Sequence, residues 1–242
     1  MSLLFEPTSL TSRRSRILGV AAIFVPLLLY IPLIPLSAPD DATRNLIVTI
    51  FNYDLLPSPG FPFYWALNLL PARLAFGTSH FNVTLLTSAL PVALTSWLLY
   101  RAERHLDVSA PLALFASLIW ATGSGTIALA THASPHALSA LYLSALVYAS
   151  LRYIKDPSEL SWLFRFAAFA ALGAAHQISF LAAWLSLGLM FVLTEWRLVL
   201  RFKLMLGLFA VALLTPALYV LLWVAGYPDV SPGIDYIMRI RG

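Results

Sequence analysis

The side chains that could do chemistry fall at the ends of long apolar stretches and form two separate sets. One set holds the acidic residues and histidines Asp40, Asp41, Asp54, His80, His132, His136 and His176. The adjacent pair Asp40 and Asp41 is suited to taking a proton from a hydroxyl group or to holding a cation. The alternative is a solvated acidic turn that caps a helix starting near Thr43. Spacing alone leaves both readings open.

The second set is basic and marks the opposite ends of the apolar stretches. It contains eleven of the fifteen Lys and Arg residues, namely Arg13, Arg14, Arg16, Arg101, Arg104, Arg152, Lys155, Arg165, Arg197, Arg201 and Lys203. Basic residues accumulate in the cytoplasmic loops of membrane proteins. The pattern therefore predicts a cytoplasmic N-terminus and places the acidic and histidine set on the outer face.

Composition favours a chain that lies within a bilayer. Hydrophobic residues make up 60% of the 242 residues and charged residues only 11%. The basic residues flank apolar stretches, so anionic lipid headgroups are the expected partner and nucleic acid is not. There are no cysteines, which excludes disulfides, thiolate metal sites and a cysteine nucleophile.

Seven apolar stretches have lengths that suit helical membrane spans. They cover residues 17–36, 81–100, 111–130, 137–153, 161–175, 178–193 and 204–225. A signal peptide cleaved near Ala38 is the alternative for the first, but twenty apolar residues favour a retained helix. The predicted fold is an all-α integral membrane protein with one transmembrane domain over 1–242. It has a cytoplasmic tail (1–16), a long outer loop (37–80) with an interfacial helix at 61–76, and an outer tail (226–242).

Two pairs of polar residues in the short outer turns have more than one reading. His132 and His136 have the i, i+4 spacing of helical metal ligands, but Pro135 lies between them and favours interfacial hydrogen bonding. His176 and Gln177 could bind a ligand or could satisfy the ends of two helices in a tight turn.

Four short motifs, in this order along the chain, resemble one family. After the acidic pair come Ser58-Pro59-Gly60-Phe61-Pro62-Phe63-Tyr64, then Phe81-Asn82-Val83-Thr84-Leu85-Leu86-Thr87-Ser88-Ala89, then His136-Ala137-Leu138 with Leu141-Tyr142-Leu143, and finally Gly173-Ala174-Ala175-His176-Gln177. Together they resemble the GT-C superfamily of multispan glycosyltransferases, and within it the bacterial branch related to protein O-mannosyltransferases. The resemblance covers about residues 40 to 191.

This resemblance implies a function and roles for individual residues. A sugar would pass from a polyprenyl-phosphate donor to an acceptor on the outer face of a bacterial cytoplasmic membrane, by inverting displacement. Asp41, with Asp40 beside it, would be the catalytic base, and Arg44 or Arg73 would neutralise the phosphate. The substrate-binding candidates are Tyr64, His132, His136, His176 and Gln177. No metal site is assigned, and a divalent cation stays open as a cofactor.

Two features of the sequence support a second function. Members of this superfamily usually have more spans and often a soluble outer domain, so the chain is expected to be an N-terminal half or a reduced relative. Pro57 and Ser58 also stand where the family motif has His-Pro. The alternative is a catalytically inactive accessory subunit of a larger membrane complex. A transporter ranks third, because no ionisable residue is predicted at mid-membrane depth.

Overall fold

The computed structural model describes residues 13–51, 62–74, 77–177, 180–194, 202–213, 215–217 and 220. Its helices are α1 (Arg13–Tyr30), α2 (Asp41–Phe51), α3 (Pro62–Asn68), α4 (Ser79–Thr84), α5 (Leu90–His105), α6 (Ala110–Thr122), α7 (Ser124–Thr131), α8 (Pro135–Lys155), α9 (Ser161–His176), α10 (Phe180–Thr194) and α11 (Phe202–Ala212). Short 3₁₀ turns cover Ile31–Leu33 and Pro71–Arg73, and a π-helical segment, Leu85–Ala89, joins α4 to α5. No strand occurs among the described residues, so the predicted all-α fold is confirmed there.

Three continuous helical segments are long and apolar enough to cross a membrane. They are Arg13–Leu33, Ser79–His105 and Pro135–Lys155. A fourth candidate is the pair Ala110–Thr122 and Ser124–Thr131, if the two helices count as one broken span. The predicted stretches 161–175 and 178–193 are also helical, as α9 and α10, but these helices are shorter. The stretch 204–225 contains α11 and continues beyond the described residues.

The predicted straight span at 111–130 is broken at Gly123. Helices α6 and α7 meet there at an angle of 66°. Gly123 has extended backbone angles (φ −60°, ψ 142°), and its carbonyl accepts the first hydrogen bond of α7, from Ile127 N at 2.9 Å. A Cβ atom at this position would lie 3.3 Å from the Trp120 carbonyl oxygen, so a residue without a side chain suits the break. The bend turns α7 toward the π-helical segment, against which it packs.

Helix α5 is the centre of the bundle and packs against α1, α6 and α8, while α8 packs against α9. Gly19 lets α1 approach α5 closely, since a Cβ atom there would lie 3.2 Å from the ring of Tyr100. The Tyr100 hydroxyl donates to the Ser15 carbonyl at 2.8 Å. The start of α1 therefore lies beside the end of α5, and the two helices run antiparallel.

Most of the basic residues of the described helices gather at this end of the bundle, and Arg44 of α2 is an exception. Arg101 donates to the Tyr148 hydroxyl at 3.2 Å, and Lys155 donates to the His105 carbonyl at 2.9 Å. The guanidinium groups of Arg152 and Arg165 lie 4.6 and 4.2 Å from the ring of Trp162. We call this region the basic end. The opposite region, where α4 begins, α7 meets α8 and α9 ends, is called the histidine end.

The segment predicted as the first outer loop is held against the histidine end. Thr78 donates to the Leu36 carbonyl at 2.8 Å, which brings the two ends of the loop together. Within the loop, α2 is amphipathic, because Ile47 and Ile50 are buried while Asp41 and Arg44 are exposed. A helix of this kind suits the boundary between water and membrane.

Candidate functional site

A buried layer of polar side chains underlies the histidine end, and the π-helical segment is its centre. The Thr87 hydroxyl donates to Asn68 Oδ1 at 2.9 Å. The same hydroxyl oxygen lies 2.7 Å from the Val83 carbonyl oxygen. Asn68 in turn donates to the Tyr64 carbonyl at 2.8 Å. These contacts join α3 to the π-helical segment. Such segments are rare and are found disproportionately at functional sites.

The next residue of the same segment joins it to the turn between α7 and α8. Ser134 N donates to Ser88 Oγ at 3.0 Å, and Ser134 itself caps α8 by accepting from His136 N at 3.3 Å. The successive residues Thr87 and Ser88 thus join the π-helical segment to two different elements, α3 and the turn between α7 and α8.

Tyr64 is part of this buried layer and is fully inaccessible to solvent. Its hydroxyl lies 3.5 Å from Thr87 Oγ1. Burial raises the pKa of Tyr64 to about 12, because the phenolate would lose its hydration. The sequence predicts substrate binding for Tyr64, and the structure places its side chain beneath the surface.

His176 is also fully buried. Its Nε2 lies 2.7 Å from the Pro135 carbonyl, which can only accept, so Nε2 donates. The ring packs between Tyr64 and Tyr142, with centroid separations of 6.2 and 5.9 Å. Its neighbour Gln177 accepts from Ser139 Oγ at 3.0 Å. Both residues of this predicted binding pair therefore hold α9 against α8.

The acidic pair lies above this layer, at the start of α2. Asp40 caps the helix, since its two carboxylate oxygens accept from Thr43 N at 2.7 Å and from Thr43 Oγ1 at 3.0 Å. Asp41 is exposed and forms an ion pair with Arg44 at 3.0 Å. The helix-capping reading of the acidic turn is realised by Asp40, and Asp41 presents its carboxylate to solvent.

The structure brings Asp40 together with two histidines from other segments. His80, in α4, is only 4% exposed, and the titratable groups that act electrostatically on it are His132 and Asp40. His132 follows α7, and its Nδ1 lies 3.0 Å from the Ala128 carbonyl. His136 is exposed and is the second residue of α8. His132 has extended backbone angles, so His132 and His136 do not share a helix. Their i, i+4 spacing therefore does not place them as a pair of helical metal ligands.

His80 was not predicted as a site residue. A lone histidine before an apolar stretch carries no motif, and its one signal was membership of the acidic and histidine set. Arg73, a predicted phosphate ligand, donates to the Leu69 carbonyl at 2.6 Å within its own short turn. Asp54 and the motif residues from Ser58 to Phe61 lie outside the described residues.

Metal binding finds no support in the part of the chain that the structure describes. No three His, Asp or Glu residues within that part are grouped so that they could hold a metal ion. His132 and Asp40 each lie within electrostatic reach of His80 without forming such a group.

Known proteins give no further guide to the site. No protein-family model, curated protein or solved structure matches the chain. Membership of the GT-C superfamily accordingly stays a prediction from the sequence motifs, and the function is argued from the geometry of the histidine end.

Proposed function

We propose that the chain is a GT-C-like membrane glycosyltransferase that moves a sugar from a polyprenyl-phosphate donor to an acceptor at the outer membrane face. In this proposal the N-terminus is cytoplasmic and seven helices cross a bacterial cytoplasmic membrane. The observation that carries the proposal is that the buried His80 lies within electrostatic reach of Asp40 and His132, which come from two other segments. Such a grouping of titratable residues at one end of a bundle indicates a candidate functional site.

The charge distribution supports the proposed orientation. Arg101, Arg152 and Lys155 lie together at the basic end, and the histidine end holds four of the five histidines. By the positive-inside rule, the basic end faces the cytoplasm. The amphipathic α2 then lies along the outer surface, where a lipid-linked donor would present its headgroup.

In the proposed reaction, Asp41 accepts the proton of the acceptor hydroxyl as its oxygen attacks C1 of the sugar. The C1–O bond to phosphate breaks, and polyprenyl phosphate leaves with the electron pair. Asp41 suits this role better than Asp40, because its side chain is 87% exposed while both oxygens of Asp40 are engaged by Thr43. Arg44, paired with Asp41, is placed to neutralise the leaving phosphate.

One observation favours the second candidate, a catalytically inactive accessory subunit. The carboxylates of the acidic pair already have partners within α2, namely Thr43 for Asp40 and Arg44 for Asp41. In an accessory subunit these contacts would only stabilise the surface helix, and other membrane subunits would be the partners.

Transfer of labelled sugar decides between the two candidates. The full chain in proteoliposomes is supplied with a panel of polyprenyl-phosphate sugars, and the variants Asp41→Asn and Asp40→Asn/Asp41→Asn are compared with wild type. Asp156→Asn is the matched control, because it removes an exposed carboxylate at the basic end. We expect transfer by wild type and the control and its loss in the Asp41 variants. Absence of transfer by inserted wild type from every donor, with stable co-purification of other membrane subunits, would favour the accessory function.

A further inference from the structure

His80 is a buried imidazole whose polar atoms are not satisfied by its own chain. Its side chain is 4% exposed, and neither Nδ1 nor Nε2 has a hydrogen-bond partner among the described residues. One helical turn further on, Thr84 is fully buried and its Oγ1 also has no such partner. Residues at i and i+4 lie on one face of a helix. The outer part of α4 thus carries one face with three unsatisfied polar atoms.

The buried polar atoms of His80 and Thr84 are expected to pair with a group outside the described residues. Buried nitrogen and hydroxyl groups lose their hydration, and native proteins pair nearly all of them with protein, water or ligand. Two neighbouring side chains do find partners, since the Asn82 amide nitrogen donates to the Leu74 carbonyl and Thr87 donates to Asn68, although Asn82 Oδ1 has no partner among the described residues. His80 and Thr84 differ from them because no polar atom of either side chain has such a partner. His80 and Thr84 therefore stand out as groups that a bound molecule would satisfy.

The chemistry around His80 selects the class of that molecule. A neutral imidazole and a threonine hydroxyl each offer both a donor and an acceptor. A sugar hydroxyl also offers both, whereas a phosphate oxygen at neutral pH only accepts. His132 and Asp40 are the titratable groups that act electrostatically on His80, and the carboxylate of Asp40 would repel an anion. A neutral hydroxylated group matches this environment better than a phosphate.

We infer that His80, with Thr84, binds a hydroxyl group of the sugar and so contributes to the sugar specificity of the site. This inference deepens the proposed function and rests on it. In this inference His80 binds the sugar hydroxyl, and other groups at the histidine end bind the phosphate. His80 touches the sugar and takes no part in the proton transfer assigned to Asp41.

Equilibrium binding tests the inference without requiring transfer. The purified full chain in nanodiscs is titrated with polyprenyl-phosphate mannose and polyprenyl-phosphate glucose, and with sugar-free polyprenyl phosphate as the reference. For His80→Leu we expect about a tenfold weaker Kd for whichever glycolipid wild type prefers, the loss of roughly one hydrogen bond. The Kd for sugar-free polyprenyl phosphate should not change. His80→Asn, which keeps a donor and an acceptor, should restore part of the affinity.

His105→Leu is the matched control, because His105 is a buried histidine at the basic end. It should leave both affinities as in wild type. The Tm of the protein without ligand is a second measurement, and it would fall in His80→Leu if His80 had a structural role. An unsatisfied histidine can be replaced by leucine without loss, so the Tm of His80→Leu should equal or exceed that of wild type.

Three results would overturn the inference, and they differ from a failure of the proposed function. Unchanged glycolipid affinity in His80→Leu would mean that water alone satisfies the ring. An equal loss of affinity for both kinds of lipid would assign His80 to the phosphate. A lowered Tm would assign it to the fold. If wild type binds no polyprenyl lipid at all, the proposed function fails together with the inference. Binding without transfer would leave the inference standing alone.

Discussion

His176 Nε2 donates to the carbonyl of Pro135 across 2.7 Å, so the last residue of α9 is tied to the first residue of α8. The imidazole of His176 is fully buried where it makes this contact. The bond therefore belongs to the packing of two helices at the histidine end, directly beneath the candidate site.

Replacing His176 by alanine should destabilise the protein strongly. The change removes the bond to Pro135 and leaves a cavity between Tyr64 and Tyr142. We expect a loss of about 3 kcal/mol in the free energy of unfolding. Unfolding in mild detergent measures it, with the exposed His136→Ala as control. Equal effects of the two substitutions would contradict the packing role.

Asp40 and Asp41 should affect the stability of α2 differently. Asp40→Ala removes the cap on Thr43 and should cost about 1 kcal/mol, whereas Asp40→Asn should keep most of the cap. Asp41→Ala breaks only an exposed ion pair and should cost less than about 0.5 kcal/mol. Hydrogen exchange of the α2 amides measures both. Faster exchange in Asp41→Ala than in Asp40→Ala would be evidence against the capping assignment.

The π-helical segment should be sensitive to the loss of one hydroxyl. Thr87→Val leaves the buried Asn68 amide oxygen without its donor, at a cost of about 1–3 kcal/mol. Thr95→Val is the matched control, because the buried Thr95 hydroxyl donates to the Pro91 carbonyl of its own helix. It should change stability by less than about 0.5 kcal/mol. Chemical denaturation compares the two, and similar values would show that the Asn68 contact contributes little.

Stability should fall at high pH because of Tyr64. Its pKa is about 12 in the folded state and 10 when unfolded, so the folded protein holds the phenol proton more tightly. The resulting stabilisation is full below pH 10 and is lost as the pH rises from 10 to 12, to a total of about 3 kcal/mol. Unfolding measured across this range should show a shallower pH dependence in Tyr64→Phe. An unaltered slope would mean that other groups cause the loss.

The proposed orientation can be read from single cysteines, because the chain has none of its own. His136→Cys places a thiol at the histidine end and Ser158→Cys places one at the basic end, both at exposed positions. A membrane-impermeant maleimide added to intact cells should label position 136 directly and position 158 only after permeabilisation. The reverse pattern would invert the topology.

Apolar length predicted that the described part of the chain is helical, whereas the polar motifs did not indicate which of their residues are buried. The stretches 81–100 and 137–153 reappear inside Ser79–His105 and Pro135–Lys155, because about twenty apolar residues have few alternatives to a helix. The break at Gly123 was not foreseen, since glycine within an apolar helix is often tolerated without a bend. His176 and Tyr64 stood out as polar residues in motifs, yet both are buried, and burial depends on neighbours distant in sequence. His80 lies in no motif, and its burial also depends on neighbours distant in sequence, so it was not predicted as a site residue.

The contact between Thr78 and Leu36 also bears on how this protein could be re-engineered or could diverge. This hydrogen bond holds the two ends of the loop at residues 37–80 together, whatever residues lie between them. The entropy of closing a flexible loop grows only slowly with length, by about 0.6 kcal/mol for each doubling. Insertions within this loop should therefore leave the register of the membrane helices unchanged, which makes it a permissive position for an epitope, a reporter or an added recognition module.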